Sequence, residues 1–278
     1  MMKLDIQQSW WAMSGLGNGV REWTIEEKFE KLAEAGFSGI LGRLPAQQEA
    51  EKWHRLLEHY SFSFGVHAFP FPVYGDDVTV FLQQAKDFGV DYVNAQVVGQ
   101  FVVGSQAVGF LQSLMQQADM VGMPLFIETH RGRITHDILR TVDYVEALPD
   151  LRLSIDFSHY VVGSAMDAGT ASEEMDLLLH KLLERTSSIH ARVASGNQVQ
   201  IDIGEAGEHP AVERFLSWWR FGMEQWRAHA ADGDRFPFVC ELGPPSYSIV
   251  DGATGRELSD RWKQALVLKR LAEQAWRG

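Results

Sequence analysis

The chain has 278 residues, 45% hydrophobic and 22% charged, with 25 glycines and nine prolines; this is a globular composition able to fill a core, and it excludes intrinsic disorder. Lys and Arg number 25 against 37 Asp and Glu, a net charge of −12, which argues against nucleic acid as a partner because phosphate binding needs a basic surface. The lone cysteine, Cys240, allows neither an internal disulfide nor a cysteine-based metal site, and no apolar run approaches the roughly 18 residues of a membrane span.

The opening MMKLDIQQSWW lacks the charged-then-apolar pattern of a signal peptide, so a cytoplasmic location with no membrane partner is expected. From there, apolar strand-like runs alternate with amphipathic helical segments. LDIQQ reads as the first strand and TIEEKFEKLAEAGF as the first helix. There Thr24 and Glu27 have capping-box spacing, Phe29, Leu32 and Ala33 share a face, and Gly36 is a stop signal. SGILGR and AQQEAEKWHRLLEHY form the second pair, FSFGVHAF and DDVTVFLQQAKDFG the third, DYVNAQVV and SQAVGFLQSLMQQADMVG the fourth. PLFIETH leads to ITHDILRTVDYVEALPD, LRLSIDFSH to EEMDLLLHKLLERTS, SIHARV to HPAVERFLSWWRFGMEQWRAHAADG, and FPFVCEL to ELSDRWKQALVLKRLAEQAW. The strand runs are almost continuously apolar, as for parallel strands covered on both faces. Eight such pairs predict an α/β fold, a single (β/α)8 TIM barrel, with a doubly wound open sheet as the competing arrangement. No linker, charge block or low-complexity segment divides the chain, so one domain over residues 1–278 is expected.

In such a barrel the C-terminal strand ends carry the chemistry. The informative residues are therefore charged or imidazole groups that close otherwise apolar strands. Strand five ends on Glu128 and strand six on Asp156; the seventh carries His190 and the eighth Glu241. Neighbouring parallel strands lie about 4.8 Å apart, so these four converge on the barrel mouth. A single strand-end acid is usually a cap or a lysine partner; four in succession are not so easily explained. Three carboxylates and an imidazole, unpaired with basic residues in the strands, would repel one another unless a cation sat between them. Oxygen-rich ligation with one nitrogen suits Mn²⁺, Mg²⁺, Co²⁺ or Zn²⁺.

With IETHRGR, LSIDFSHY, SIHARV and FVCELGPP, the sequence resembles the xylose isomerase-like TIM barrels, the sugar isomerase/epimerase superfamily. The resemblance spans the chain in element order, with its specific residues in the second half. It implies one divalent metal ion held by Glu128, Asp156, His190 and Glu241, with the two glutamates as the proton-transfer pair. It further implies that His159, three residues after the aspartate, contacts substrate or a second metal, and that Arg192 binds substrate. Arg192 lies two residues after His190, on the same strand face. His130 and His67 are further candidates for lining a substrate pocket, each against a structural role. Tyr247 is expected to stand away from substrate. SGLGNG, at 14–19, has GxGxG spacing with no suitable ribose acid after it, so a βα loop is expected and not a phosphate cradle. Trp218 and Trp219 are expected to pack against the barrel or a partner subunit, and Cys240 to be an inert buried thiol.

The resulting expectation is a metal-dependent aldose–ketose isomerase or epimerase acting on a small sugar or hydroxy-carbonyl compound. A metal-dependent dehydratase of a polyol ketone shares the first proton abstraction. An apurinic-endonuclease-like hydrolase would need further histidines on strand four and an Asp-x-His after strand seven, which are absent here. A non-catalytic sugar-binding barrel is the remaining reading, and self-association into a homo-oligomer stays open. ASGNQVQIDIGEAGEH, after strand seven, is long and polar for a βα connection, so substrate choice is expected to reside there.

Overall fold

Eight short parallel strands close on themselves in the computed structural model, which describes residues 1–68, 75–97, 99–166 and 173–278. They are β1 (Lys3–Ser9), β2 (Gly39–Gly42), β3 (Ser63–His67), β4 (Tyr92–Ala95), β5 (Leu125–Glu128), β6 (Leu153–Ile155), β7 (Thr186–Ala191) and β8 (Arg235–Cys240). Each pairs with the next, and β8 returns to β1. The helices are α1 (Ile25–Glu34), α2 (Gln47–Tyr60), α3 (Thr79–Phe88), α4 (Gly104–Val121), α5 (Ile138–Ala147), α6 (Ser158–Gly163), α7 (Glu173–Leu183), α8 (Ala211–Arg227) and α9 (Arg261–Arg277). The closed barrel is thus the observed fold, and the open sheet is excluded. No described helix is long and apolar enough to cross a membrane. Phe69 and Val98, the last residues of the third and fourth strand-like runs, lie outside the described residues.

Local chemistry accounts for the elements. At the start of α1, Thr24 accepts from the Glu27 backbone N–H while the Glu27 carboxylate accepts from the Thr24 N–H at 2.8 Å, so the capping box forms as its spacing predicts. One helix was not expected. Directly after β6, the Asp156 side chain accepts from the Ser158 backbone N–H at 3.0 Å and so starts the short helix α6. Six residues ending in glycine are too few to display a helical period in sequence. Residues 14–19 form a tight turn: Gly17 bridges Glu22, and the Asn18 side chain accepts from the N–H groups of Val20 and Arg21.

The tryptophan pair of α8 packs inward. Trp218 meets Phe157 and Phe215, and Trp219 meets Phe215 and Phe238 on β8, all at 5.2 to 6.0 Å between ring centroids. Cys240 is buried on the face opposite the site, and burial pushes its thiol up.

Asp5 and Gln7 of β1 centre a polar network inside the barrel. Asp5 accepts from Gln7 Nε2 at 2.8 Å, Ser63 Oγ at 2.6 Å and Ser38 Oγ at 2.7 Å, and Tyr92 donates to Gln7 Oε1 at 2.8 Å. This network ties β1 to β2, β3 and β4, and it needs close backbone approach. A Cβ on Gly39 would lie 1.9 Å from Ser63 Oγ and 2.7 Å from its carbonyl oxygen. Gly39→Ala is therefore expected to destabilise by about 3 kcal/mol, the upper scale of overpacking. Gly109→Ala, in α4 with open space around it, is expected to be neutral or to stabilise by up to about 1 kcal/mol. Urea unfolding of the two variants against the parent measures both.

Candidate metal centre and substrate cleft

Glu128 closes β5, Asp156 follows β6, His190 lies within β7 and Glu241 follows β8; all four are buried. His190 Nδ1 stands 2.9 Å from Glu241 Oε2 and 3.7 Å from Glu128 Oε2. Ligand atoms of Glu128, His190 and Glu241 all fall within 4.8 Å of one another.

Asp156 stands apart from this trio. Its Oδ1 accepts from Ser158, and its Oδ2 lies 3.5 Å from Arg192 Nη2 and 3.6 Å from His159 Nε2. The same Arg192 Nη2 is 3.4 Å from Glu241 Oε2, and Arg192 Nε donates to the Glu241 carbonyl at 2.9 Å. One sequence expectation needs correction here: the carboxylates are not unpaired, because Arg192 lies between two of them.

The charges settle unequally. Burial drives the Glu128 carboxyl upward, opposed by His190 and reinforced by Glu241 and Asp156. Burial acts the same way on Glu241, but His190, hydrogen-bonded to it, and Arg192 outweigh it and hold that carboxylate low. His190 is raised above an ordinary imidazole, its burial penalty overcome by Glu241 and Glu128. Burial also raises Asp156, with Arg192 offsetting part of the shift.

A divalent cation fits this donor set. The chemistry is oxygen, nitrogen, oxygen, and two buried atoms beside it, His190 Nε2 and Asp156 Oδ2, have no hydrogen-bond partner. Nδ1 of His190, which faces both glutamates, would be the ion's ligand atom there once deprotonated.

A second trio shares Glu128: its ligand atoms lie within 4.8 Å of those of His130 and His159. The two imidazole rings are 3.7 Å apart between centroids. His130 Nδ1 lies 2.5 Å from the Arg131 carbonyl, so Nδ1 carries the hydrogen and Nε2 the lone pair. Neither nitrogen of His159 is hydrogen-bonded. Burial pushes His130 down to about 3 and His159 well below its ordinary value, so both are neutral.

Sequence reasoning missed the residues that hold Glu128. Asn94 Nδ2 donates to its Oε2 at 2.5 Å, and Gln96 Nε2 to its Oε1 at 3.0 Å. The signal lies in DYVNAQVV, where two amides at i and i+2 share the inner face of an apolar strand. Asn94 Nδ2 also faces His67 Nδ1 at 3.1 Å. That contact makes Nδ1 the acceptor and leaves His67 neutral, with its hydrogen on Nε2.

Above the floor opens a cleft of about 570 Å³. Glu128, Glu241, His67, His130 and Arg192 reach its wall, while Asp156, His159 and His190 are buried beneath it. Tyr247, expected to stand away from substrate, also lines the cleft. Its ring packs edge-on against Trp11 at 5.0 Å, and the Arg192 guanidinium lies 4.7 Å from its centroid. The long segment after β7 plays another part than expected. It supplies no lining residue; its Gln200 exchanges two hydrogen bonds with the Gly243 backbone, at 3.1 and 2.7 Å, and so fixes the loop that follows Glu241.

No family model matches the chain, and no curated protein sequence matches it. Solved structures share its fold. The probable 3-DHS dehydratase AsbF of Bacillus anthracis superposes with a TM-score of 0.62 at 12% identity, covering 96% of this chain and 98% of that one. An AP endonuclease, family 2, from Brucella melitensis gives 0.57 at 15% identity over 88% and 94%. A sugar phosphate isomerase/epimerase from Parabacteroides distasonis gives 0.55 at 12% identity over 97% and 96%. At such identities the likeness is one of fold, that of the isomerase/epimerase barrels which the sequence resembles.

Two measurements follow from this geometry. Calorimetric titration with Mn²⁺, Co²⁺ and Zn²⁺ is expected to give one site of at least micromolar affinity, weakened about 10-fold or more in His190→Ala but little in His130→Ala. The reverse pattern would move the ion to the second trio. The second concerns His67, which burial pushes down to about 4 against about 6.5 when unfolded. Between these values the unfolded chain binds the extra proton, so His67 costs stability as the pH falls from about 6.5 toward 4. Thermal unfolding in His67→Gln should therefore fall less steeply over that window than in the parent.

Proposed function

We propose that the protein is a divalent-metal-dependent isomerase or epimerase of a small sugar or hydroxy-carbonyl compound, working as a single barrel domain. The observation that carries this reading is the pair Glu128 and Glu241. Both are buried at the base of one cleft and both face the same imidazole, so a substrate held there would have a carboxylate on either side of it.

A divalent ion held by Glu128, His190 and Glu241, with Asp156 close by, would polarise the substrate carbonyl and its neighbouring hydroxyl. Glu241, kept ionised, takes the proton from the carbon beside the carbonyl. Glu241 can give that proton back to the adjacent carbon, or Glu128, on the other side of the site, can deliver one to the opposite face. Asn94 and Gln96 fix its two oxygens in place while it does so. The Arg192 guanidinium, at the cleft wall, stabilises the negative charge of the enediolate. His67 lines the cleft beside them.

The dehydratase reading shares proton removal by Glu241 and then expels a β-hydroxyl, and the probable dehydratase among the similar folds supports keeping it second. A DNA-cleaving role is disfavoured by the net charge of −12.

Glu241→Gln separates ligation from proton transfer, because an amide oxygen still coordinates but is not basic. The variant should retain metal binding within about 10-fold and lose roughly 10² to 10⁴ of the solvent-deuterium exchange into substrate. Near-parent exchange by the metal-loaded variant would exclude Glu241 as the base. Arg192→Met should spare exchange less than metal affinity, with turnover down by roughly 10²-fold.

A further inference from the structure

The loop from β5 to α5 brings two arginines, Arg131 and Arg133, to the mouth of the cleft. Arg133 lines it directly, and Arg131 lies 5.7 Å from the ring centroid of Tyr247, which with Trp11 forms an aromatic wall. From β7, Arg192 approaches the same Tyr247 ring at 4.7 Å. The charge of Arg131 bears on His159, and that of Arg133 on His130 and Glu128. Both loop arginines therefore act on the floor of the cleft as well as on its wall.

The loop that carries them is held in place. Thr135 Oγ1 donates to the Glu128 carbonyl at 2.6 Å and accepts from the His130 N–H at 3.1 Å. The Gly132 N–H donates to His136 Nδ1 at 2.8 Å, that of Arg133 to the His130 carbonyl at 3.2 Å, and that of Ile134 to the Val97 carbonyl at 2.9 Å. These amides are all engaged within the fold. The loop thus lacks the run of open N–H groups with which backbone cradles hold phosphate, and an anion here must be met by side chains.

The floor does not absorb the charge of these arginines. Its three acids already face His190 and Arg192. Gln96 stands between Glu128 and Arg133: its Nε2 donates to Glu128 Oε1 at 3.0 Å, and its Oε1 accepts from Arg133 Nη2 at 3.4 Å. A neutral amide, and not the guanidinium, binds the acid there. On the β2 side of the cleft, Arg43 and Glu49 contribute one charge of each sign. Arg192 is buried, yet its Nη1 has no hydrogen-bond partner, and a buried charged donor in that condition is costly until a ligand meets it.

We infer that the substrate is a hydroxy-carbonyl compound bearing a carboxylate, a sugar acid, and that Arg133 and Arg131 bind this carboxylate beside Tyr247, with Arg192 Nη1 as the innermost donor. The planar fork of a guanidinium presents two parallel N–H groups to the two oxygens of a carboxylate. This inference rests on the hydroxy-carbonyl reading of the preceding subsection for the reacting end, and names the group at the other end.

The test is equilibrium binding in the presence of Mn²⁺, read by calorimetry. Each probe series pairs a neutral hydroxy-carbonyl compound with its carboxylate and its phosphate. The series are dihydroxyacetone, hydroxypyruvate and dihydroxyacetone phosphate; glucose, glucuronate and glucose 6-phosphate; and galactose, galacturonate and galactose 6-phosphate. In at least one series the carboxylate should bind about 10-fold or more tightly than the neutral compound, the scale of one charge-assisted hydrogen-bonded pair. Arg133→Gln should remove most of that preference and leave the neutral affinity within about twofold. Arg133→Lys, which keeps the charge without the fork, should retain part of it. Arg131→Gln should lower carboxylate affinity by about threefold or more, again sparing the neutral compound. Equal binding of carboxylate and neutral compound in every series overturns the subsite and leaves the metal and proton-transfer assignments intact. So does a preference that survives both glutamine variants, the mark of chelation by the metal, or tighter binding of the phosphate than of the carboxylate. If no member of any series binds, the hydroxy-carbonyl reading fails and the subsite falls with it.

Discussion

Three carboxylates buried within one barrel mouth are the constraint around which the rest of this chain is arranged. Two like charges about 4 Å apart repel by about 4 kcal/mol at an effective dielectric constant near 20, and Glu128, Asp156 and Glu241 are all almost fully buried. The chain answers with two cationic groups from one strand. His190 and Arg192 are two residues apart, so both point inward, and between them they contact all three acids. Two amides of β4 then bind both oxygens of Glu128. The apolar strands and their covering helices serve to hold these groups at separations that a flexible loop would not keep.

The parts of this arrangement that could be read from sequence are those set by strand periodicity. Eight apolar runs with amphipathic segments between them leave few topologies open, and an acid that closes such a run is conspicuous. Glu128, His190 and Glu241 come together for that reason. Asp156 shows where such reading stops. Its carboxylate is drawn to Ser158, which starts α6, and toward Arg192 and His159, partners that no period within β6 reveals. Asn94 and Gln96 were visible in principle, since their spacing puts them on one face, but neutral amides in a strand attract less notice than charges. Tyr247, Trp11 and Gln200 lie outside the strands, where no period marks which way a side chain turns. Only the closed barrel and its clamped loops bring them together.

The floor and the aromatic wall form one mechanical unit. Arg192 touches Asp156 and Glu241 on one side and the rings of Tyr247 and Trp11 on the other. Gln200 holds the backbone of Gly243, the residue whose lack of a Cβ admits the Trp11 ring.

Glu128 is where the two possible ion positions meet. It belongs both to the trio with His190 and Glu241 and to the trio with His130 and His159. The two differ in the charges of their partners. In the first trio the imidazole is drawn toward its protonated form by two carboxylates, so a cation must displace a proton to bind there. In the second, both imidazoles are already neutral, and Asp156 Oδ2 lies 3.6 Å from His159 Nε2 as a second carboxylate beside Glu128. An ion held by Glu128, His190 and Glu241 would stand between the two carboxylates that line the cleft, whereas the second trio brings only Glu128 of that pair to it.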